Sequence, residues 1–125
     1  MIKKINISNS KLAGPYSPAI QVNELLFVSG QIPILFETGH IVGNNIVEQT
    51  EQVIANIKTV LKEAGSDISK VIKTTCFLKN MSDFPEFNEI YAKHFTSSPA
   101  RSCVEVSAIP KGALVEIELI AQTGQ

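Results

Sequence analysis

The sequence predicts an α+β domain: a mixed six-stranded sheet with two helices packed on one face. Three observations predict it. Two segments, 48–64 and 82–95, repeat apolar residues at helical spacing. Six short runs are β-branched or alternate apolar with polar residues. The order along the chain is strand, strand, strand, helix, strand, helix, strand, strand, so each helix makes a crossover between strands. Two crossovers of one hand leave the other side of the sheet uncovered.

The first strand is expected over 3–7. Gly14-Pro15-Tyr16-Ser17-Pro18 follows, a kinked loop in which two prolines restrict the backbone on either side of Tyr16. A tyrosine on so stiff a loop either reaches into a neighbouring pocket or packs its ring with its hydroxyl in water. Strands over 19–22 and 25–29 are joined by Asn23-Glu24, a two-residue hairpin connection. Gly30, at the end of the second, marks a backbone that a ligand or another chain approaches closely.

Residues 34–45 form a loop, punctuated by Thr38-Gly39 and Gly43-Asn44-Asn45. In the helix over 48–64, Val53, Ile54, Ile57, Val60, Leu61 and Ala64 share one face, and Gly65 ends it in a left-handed cap. The run 71–79 is apolar or threonine at most positions on both faces, the mark of a central strand. Ser82 is the expected N-cap of the second helix, whose buried stripe is Phe84, Phe87, Tyr91 and Phe95 with Ile90. Asn88 lies beside that stripe.

The last two strands, 99–106 and 114–121, carry the chemistry. In the first, Ser102, Val104 and Val106 point one way and Arg101, Cys103 and Glu105 the other. In the second, Val115, Ile117, Leu119 and Ala121 alternate with Glu116 and Glu118. With both apolar faces under the helices, Arg101, Cys103, Glu116 and Glu118 are expected to share the opposite face. An arginine facing carboxylates there is either a structural ion pair or part of a binding site. The bare face also carries Leu114, Ile120 and half of the 71–79 strand, an apolar patch that predicts an oligomer packing through its sheets.

At 125 residues and 44% hydrophobic, the chain makes one domain, residues 1–125, with a small core. The net charge of −1, from 11 basic and 12 acidic residues without clusters, argues against nucleic acid as a partner. The opening residues have neither the apolar stretch of a signal peptide nor a transit-peptide pattern, and no window reaches a membrane span. A cytoplasmic protein without membrane partners is the expectation. Cys76 and Cys103 have no metal-like spacing and are expected as reduced thiols, and His40 and His94 stand alone. No metal site is predicted.

The stretch Pro99-Ala100-Arg101-Ser102-Cys103-Val104-Glu105-Val106 and four further separated blocks carry a resemblance: Gly14-Pro15-Tyr16-Ser17, Val28-Ser29-Gly30-Gln31-Ile32-Pro33, Val71-Ile72-Lys73-Thr74-Thr75, and Val115-Glu116-Ile117-Glu118. Together they resemble the RidA (YjgF) family of enamine/imine deaminases over essentially the whole chain. The resemblance implies a chorismate-mutase-like fold, a homotrimer with sites between subunits, and hydrolysis of 2-imino acids such as 2-iminobutanoate and 2-iminopropanoate to 2-keto acids and ammonia. It makes Arg101 the anchor for the substrate carboxylate and Glu116 the catalytic acid, with Tyr16, Ser29, Gly30, Asn88 and Cys103 completing the substrate site. No cofactor is implied. Glu118 is read as structural.

One departure from the family pattern is the apolar loop Ile34-Leu35-Phe36-Glu37, which bears on substrate size or lid behaviour. Two other classes are weighed. An endoribonuclease or translation inhibitor lacks support from any basic stripe or histidine pair. A non-catalytic ligand-binding regulatory trimer has no need of Glu116.

Overall fold

The computed structural model describes residues 1–8, 10 and 14–124. Six strands form one sheet: β1 (Ile2–Ile5), β2 (Ala19–Val22), β3 (Leu25–Gln31), β4 (Val71–Leu78), β5 (Ala100–Glu105) and β6 (Val115–Gln122). Their spatial order is β1-β2-β3-β6-β4-β5. Only β4 and β5 pair in parallel. β6 runs antiparallel to both β3 and β4, so those two are parallel to each other with β6 between them. Helix α1 (Ile46–Glu63) crosses from β3 to β4, and α2 (Phe84–His94) crosses from β4 to β5. The expected mixed sheet under two helices is what the chain forms.

The core lies between the helices and one sheet face. Leu26 and Val28 of β3, Cys76 and Leu78 of β4, and Val115, Ile117, Leu119 and Ala121 of β6 meet Val53, Ile54, Ile57, Val60 and Leu61 of α1 and Phe87 of α2. β1 ends at Ile5 rather than Ile7, and β3 runs two residues past Ser29 to Gln31. α1 starts two residues before the expected Glu48, because Asn45 caps it: its Oδ1 accepts the Glu48 N–H at 2.9 Å. At the other end Gly65 takes φ 75°, its N–H reaching Lys62 O at 3.1 Å while the Ser66 N–H reaches Leu61 O at 2.8 Å, the expected left-handed termination.

Ser82 does not cap α2. It sits inside a 3-10 turn, Met81–Asp83, and Asp83 occupies the cap position without a side-chain hydrogen bond. Two features make a side-chain cap dispensable. The turn satisfies the Phe84 N–H on Met81 O, and Pro85 has no N–H to satisfy.

β5 overturns the expected assignment of faces. Thr74 is the partner of both Arg101 and Leu119, and Cys76 is the partner of both Cys103 and Ile117. Directly paired residues share a face, so Arg101 and Cys103 lie on the helix side. Glu116 and Glu118, which pair with Phe77 and Thr75, lie on the bare side. The apolar alternation misled because β5 is an edge strand. Its helix-side row lies at the margin of the core, where an arginine can stack its guanidinium on aromatic rings and still reach water. Val104, 44% exposed, instead joins Phe27, 43% exposed, on the uncovered face.

Candidate active site

The first half of the site grows from a break in the β3–β6 ladder. Val28 pairs with Leu119 and Gln31 with Ile117, so Ser29 and Gly30 together oppose the single residue Glu118. This is a β-bulge, which bends a strand and re-aims its side chains. The Ser29 N–H donates to Pro18 O at 2.9 Å, and its hydroxyl donates to Ser17 O at 2.6 Å. Ser29 thereby ties the stiff Tyr16 loop against β3.

Gly30 answers the question its position raised. A Cβ built on it would stand 2.0 Å from Glu116 Oε2 and 2.8 Å from Glu116 Cδ. What approaches the bare backbone is the Glu116 carboxylate itself. Tyr16, Ser29, Gly30, Ile32, Pro110 and Glu116 line a cleft of about 420 Å³, with Glu118 at its edge. Burial, and secondarily the charge of Glu118, raises the pKa of Glu116 above the usual carboxylate value. Such a carboxyl exchanges protons nearer neutrality, as an acid–base group requires.

The apolar loop behind this cleft is held in place. Asn56, buried on α1, donates its side-chain amide to Ile34 O at 2.8 Å and Ile32 O at 3.1 Å, and Ile34 bridges to Ile41. These bonds tie the start of the loop to α1.

The second half is on the other side of the sheet. The Arg101 guanidinium lies over the ring of Tyr91, 4.7 Å from its centroid, and 5.5 Å from that of Phe84. Its Nη1 donates to Asn88 Oδ1 at 2.7 Å. Tyr91 is fixed in turn, its hydroxyl 2.7 Å from Thr74 Oγ1. No carboxylate among the described residues pairs with Arg101, so the ion-pair reading of this residue does not hold. A stacked, oriented guanidinium with unused donors suits a planar anion. Asn88, Tyr91, Ala92, Pro99 and Arg101 line an open cleft of about 580 Å³. Cys103 lies two residues along the same face of β5.

Tyr16, Ser29, Gly30 and Glu116 thus come together, as do Asn88 and Arg101, while Cys103 shares the Arg101 face of β5 but does not line that cleft. The two groups do not meet within one chain. Tyr91 and Phe84, which orient Arg101, read in the sequence only as a buried stripe. Their helical spacing from Asn88 was visible, but not that α2 passes over the row holding Arg101.

The fold agrees with comparisons to known proteins. The family described as Endoribonuclease L-PSP matches residues 7–123. A RutC family protein of Pyrococcus abyssi is 53% identical over 112 residues, covering 89% of this chain and 88% of that one. The 2-iminobutanoate/2-iminopropanoate deaminase of Mus musculus is 42% identical over 128 residues, covering 99% and 94%. A crystal structure from Yersinia pestis, described as a protein of unknown function of the conserved Rid family, superposes with a TM-score of 0.93 at 49% identity, covering 98% and 100%. The chain belongs to the RidA (YjgF) family, also described as Endoribonuclease L-PSP.

Proposed function

We propose that this protein is a deaminase that hydrolyses 2-imino acids to 2-keto acids and ammonia, in a homotrimer whose sites combine residues of two subunits. The observation that carries the reading is Glu116, a half-buried carboxyl with a raised pKa set against the bare backbone of Gly30 in an open cleft. The mouse relative's description as a 2-iminobutanoate/2-iminopropanoate deaminase supports the same chemistry.

The reaction needs three things: an anchor for the substrate carboxylate, a proton for the departing nitrogen, and a water at the C=N carbon. Arg101 supplies the anchor through its free guanidinium donors, with Asn88 and Tyr91 holding its plane. Protonated Glu116 gives its proton to the imine nitrogen and makes the carbon electrophilic. As carboxylate it then takes a proton from the attacking water, and the carbinolamine collapses to keto acid and ammonia. Tyr16 and Ile32 line the cleft beside Glu116.

Because Arg101 and Glu116 leave opposite sheet faces, a complete site requires Glu116 of one copy to face Arg101 of another. The exposed apolar side chains Leu25, Phe27 and Val104 on the uncovered face supply the surface for that assembly. Ammonia release from 2-iminobutanoate generated in situ tests the proposal. The expected result is release well above the buffer rate. No acceleration by the assembled protein would overturn it.

A further inference from the structure

We propose that Cys103 and Cys76 are a redox pair: a hydroperoxide oxidises Cys103, and Cys76 resolves it into a disulfide linking β5 to β4. Neither thiol has a part in the deaminase chemistry above. The two residues are direct partners in the parallel β4–β5 ladder, on the same helix-side face. Adjacent strands lie about 4.8 Å apart, inside the Cα separation of about 4.4–6.8 Å that a disulfide spans.

Their environments are unequal in the way a reacting and a resolving thiol require. Cys103 is partly exposed on the edge strand, whereas Cys76 is fully buried. The neighbouring Cys76 thiol, and then the positive charge of Arg101, lower the Cys103 thiol to about 7 against the opposing effect of its partial burial. The neighbouring Cys103, with burial, keeps the Cys76 thiol protonated, and its Sγ donates to Thr74 Oγ1 at 3.9 Å. A partly exposed thiolate beside an arginine is the form that reacts with peroxide.

The steps balance. The Cys103 thiolate attacks the O–O bond, which breaks. The sulfur becomes a sulfenic acid, and the alkoxide takes a proton and leaves as an alcohol. The Cys76 sulfur then displaces hydroxide from the sulfenic sulfur, and hydroxide leaves as water with the Cys76 proton. Two thiols lose two electrons to the peroxide.

The link is reversible by construction. Side chains across a parallel pair stand about as far apart as the strands, beyond the roughly 3.5–4.5 Å usual between bridged Cβ atoms. The bond must therefore draw β5 inward, and strained disulfides are readily reduced. As the sheet's last strand, β5 is laddered on one side only and can yield. It carries Arg101 two residues from Cys103, so the displacement reaches the guanidinium over Tyr91.

Intact-mass analysis after stoichiometric hydrogen peroxide, with alkylation before and after reduction, tests this. The wild-type chain is expected to lose the mass of two hydrogens, to protect both thiols from alkylation, and to recover both with dithiothreitol. Cys76→Ala, or Cys76→Ser if the alanine variant folds poorly, should stop at a Cys103 sulfenic acid trapped by dimedone. Oxidation of Cys103 with Cys76 still open to alkylation in the wild type would overturn the pairing. So would a Cys103 no more reactive at pH 7 than free cysteine.

Oxidised wild type should also lose at least ten-fold in deamination and regain it on reduction, an arm that rests on the proposed function. A protein with no deaminase activity before oxidation refutes that function and leaves the thiol measurement standing. Full activity in a disulfide-linked chain refutes the coupling to Arg101.

Discussion

The carboxylate of Glu116 occupies the space that a side chain on Gly30 would fill, with Oε2 only 2.0 Å from where a Cβ would stand. The bulge at Ser29-Gly30 and the acid on the neighbouring strand are therefore one device. Gly30→Ala should push Glu116 aside rather than unfold the sheet, because the displaced atoms are the far end of a flexible side chain. Small misplacement of a reacting group costs about 10²-fold in rate. Loss of deamination of that order, with an unchanged thermal midpoint, is the expected outcome. Retained activity would separate Gly30 from the chemistry.

Arg101 and Glu116 sit on opposite faces of the sheet, which allows a complementation experiment. Arg101→Ala and Glu116→Gln proteins should each be inactive. Mixed after denaturation and refolded together in equal amounts, they should recover about a quarter of wild-type activity, since one site in four pairs an intact Arg101 with an intact Glu116 across an interface. Light scattering should give three chains per particle. Failure to recover any activity in a properly assembled mixture would place both residues in one subunit's site.

Glu116→Gln keeps shape and removes the proton exchange, so turnover should fall by about 10²-fold or more. Its stability follows from the direction of the shift. Folding raises the pKa of Glu116, so its favourable contribution exists at low pH and is lost as pH rises through the folded value. At neutral pH the glutamine variant should melt at the same temperature or higher. Glu118→Gln removes a like charge that raises Glu116, so the alkaline limb of the kcat/KM profile, where the proton of Glu116 is lost, should move to lower pH with little loss of turnover at the optimum. Equal losses in the two variants would reassign the roles.

Arg101→Lys retains a charge but loses the planar fork, the stack on Tyr91 and the bond to Asn88. One charge-assisted hydrogen bond is worth about 1.5–3 kcal/mol, or roughly 10- to 150-fold. Misplacement of the C=N carbon adds to that, so kcat/KM is expected to fall by about two orders of magnitude in a folded protein. Asn88→Ala should do less and act mainly on KM, because it frees the guanidinium plane without removing it. Near-normal deamination by Arg101→Lys would mean that the carboxylate is held elsewhere.

RNA should neither bind with a steep salt dependence nor be cleaved, given a net charge of −1 without a basic cluster. Gel-shift and cleavage assays on repurified protein check this. Cleavage abolished by Arg101→Ala would favour the ribonuclease description that the family also carries.

Much of this molecule was determined by the sequence read alone. The helical repeat at Val53, Ile54, Ile57, Val60 and Leu61 and the alternation at Val115, Ile117, Leu119 and Ala121 specified α1, β6 and the core between them. Strong periodicity works there because one face of each element is wholly buried. Gly30 was legible as a close approach, which the Glu116 carboxylate makes. What only the tertiary structure decided was which way the edge strand faces. In β5 the core-side row holds Arg101 and Cys103, because α2 lays Tyr91 and Phe84 over it and an edge position lets a charged head reach water. Valine at 104 gains its burial only if something covers the other face. Local alternation reports that two faces differ, but partners outside the strand determine which of them is inside, and through that choice Arg101 and Glu116 are parted.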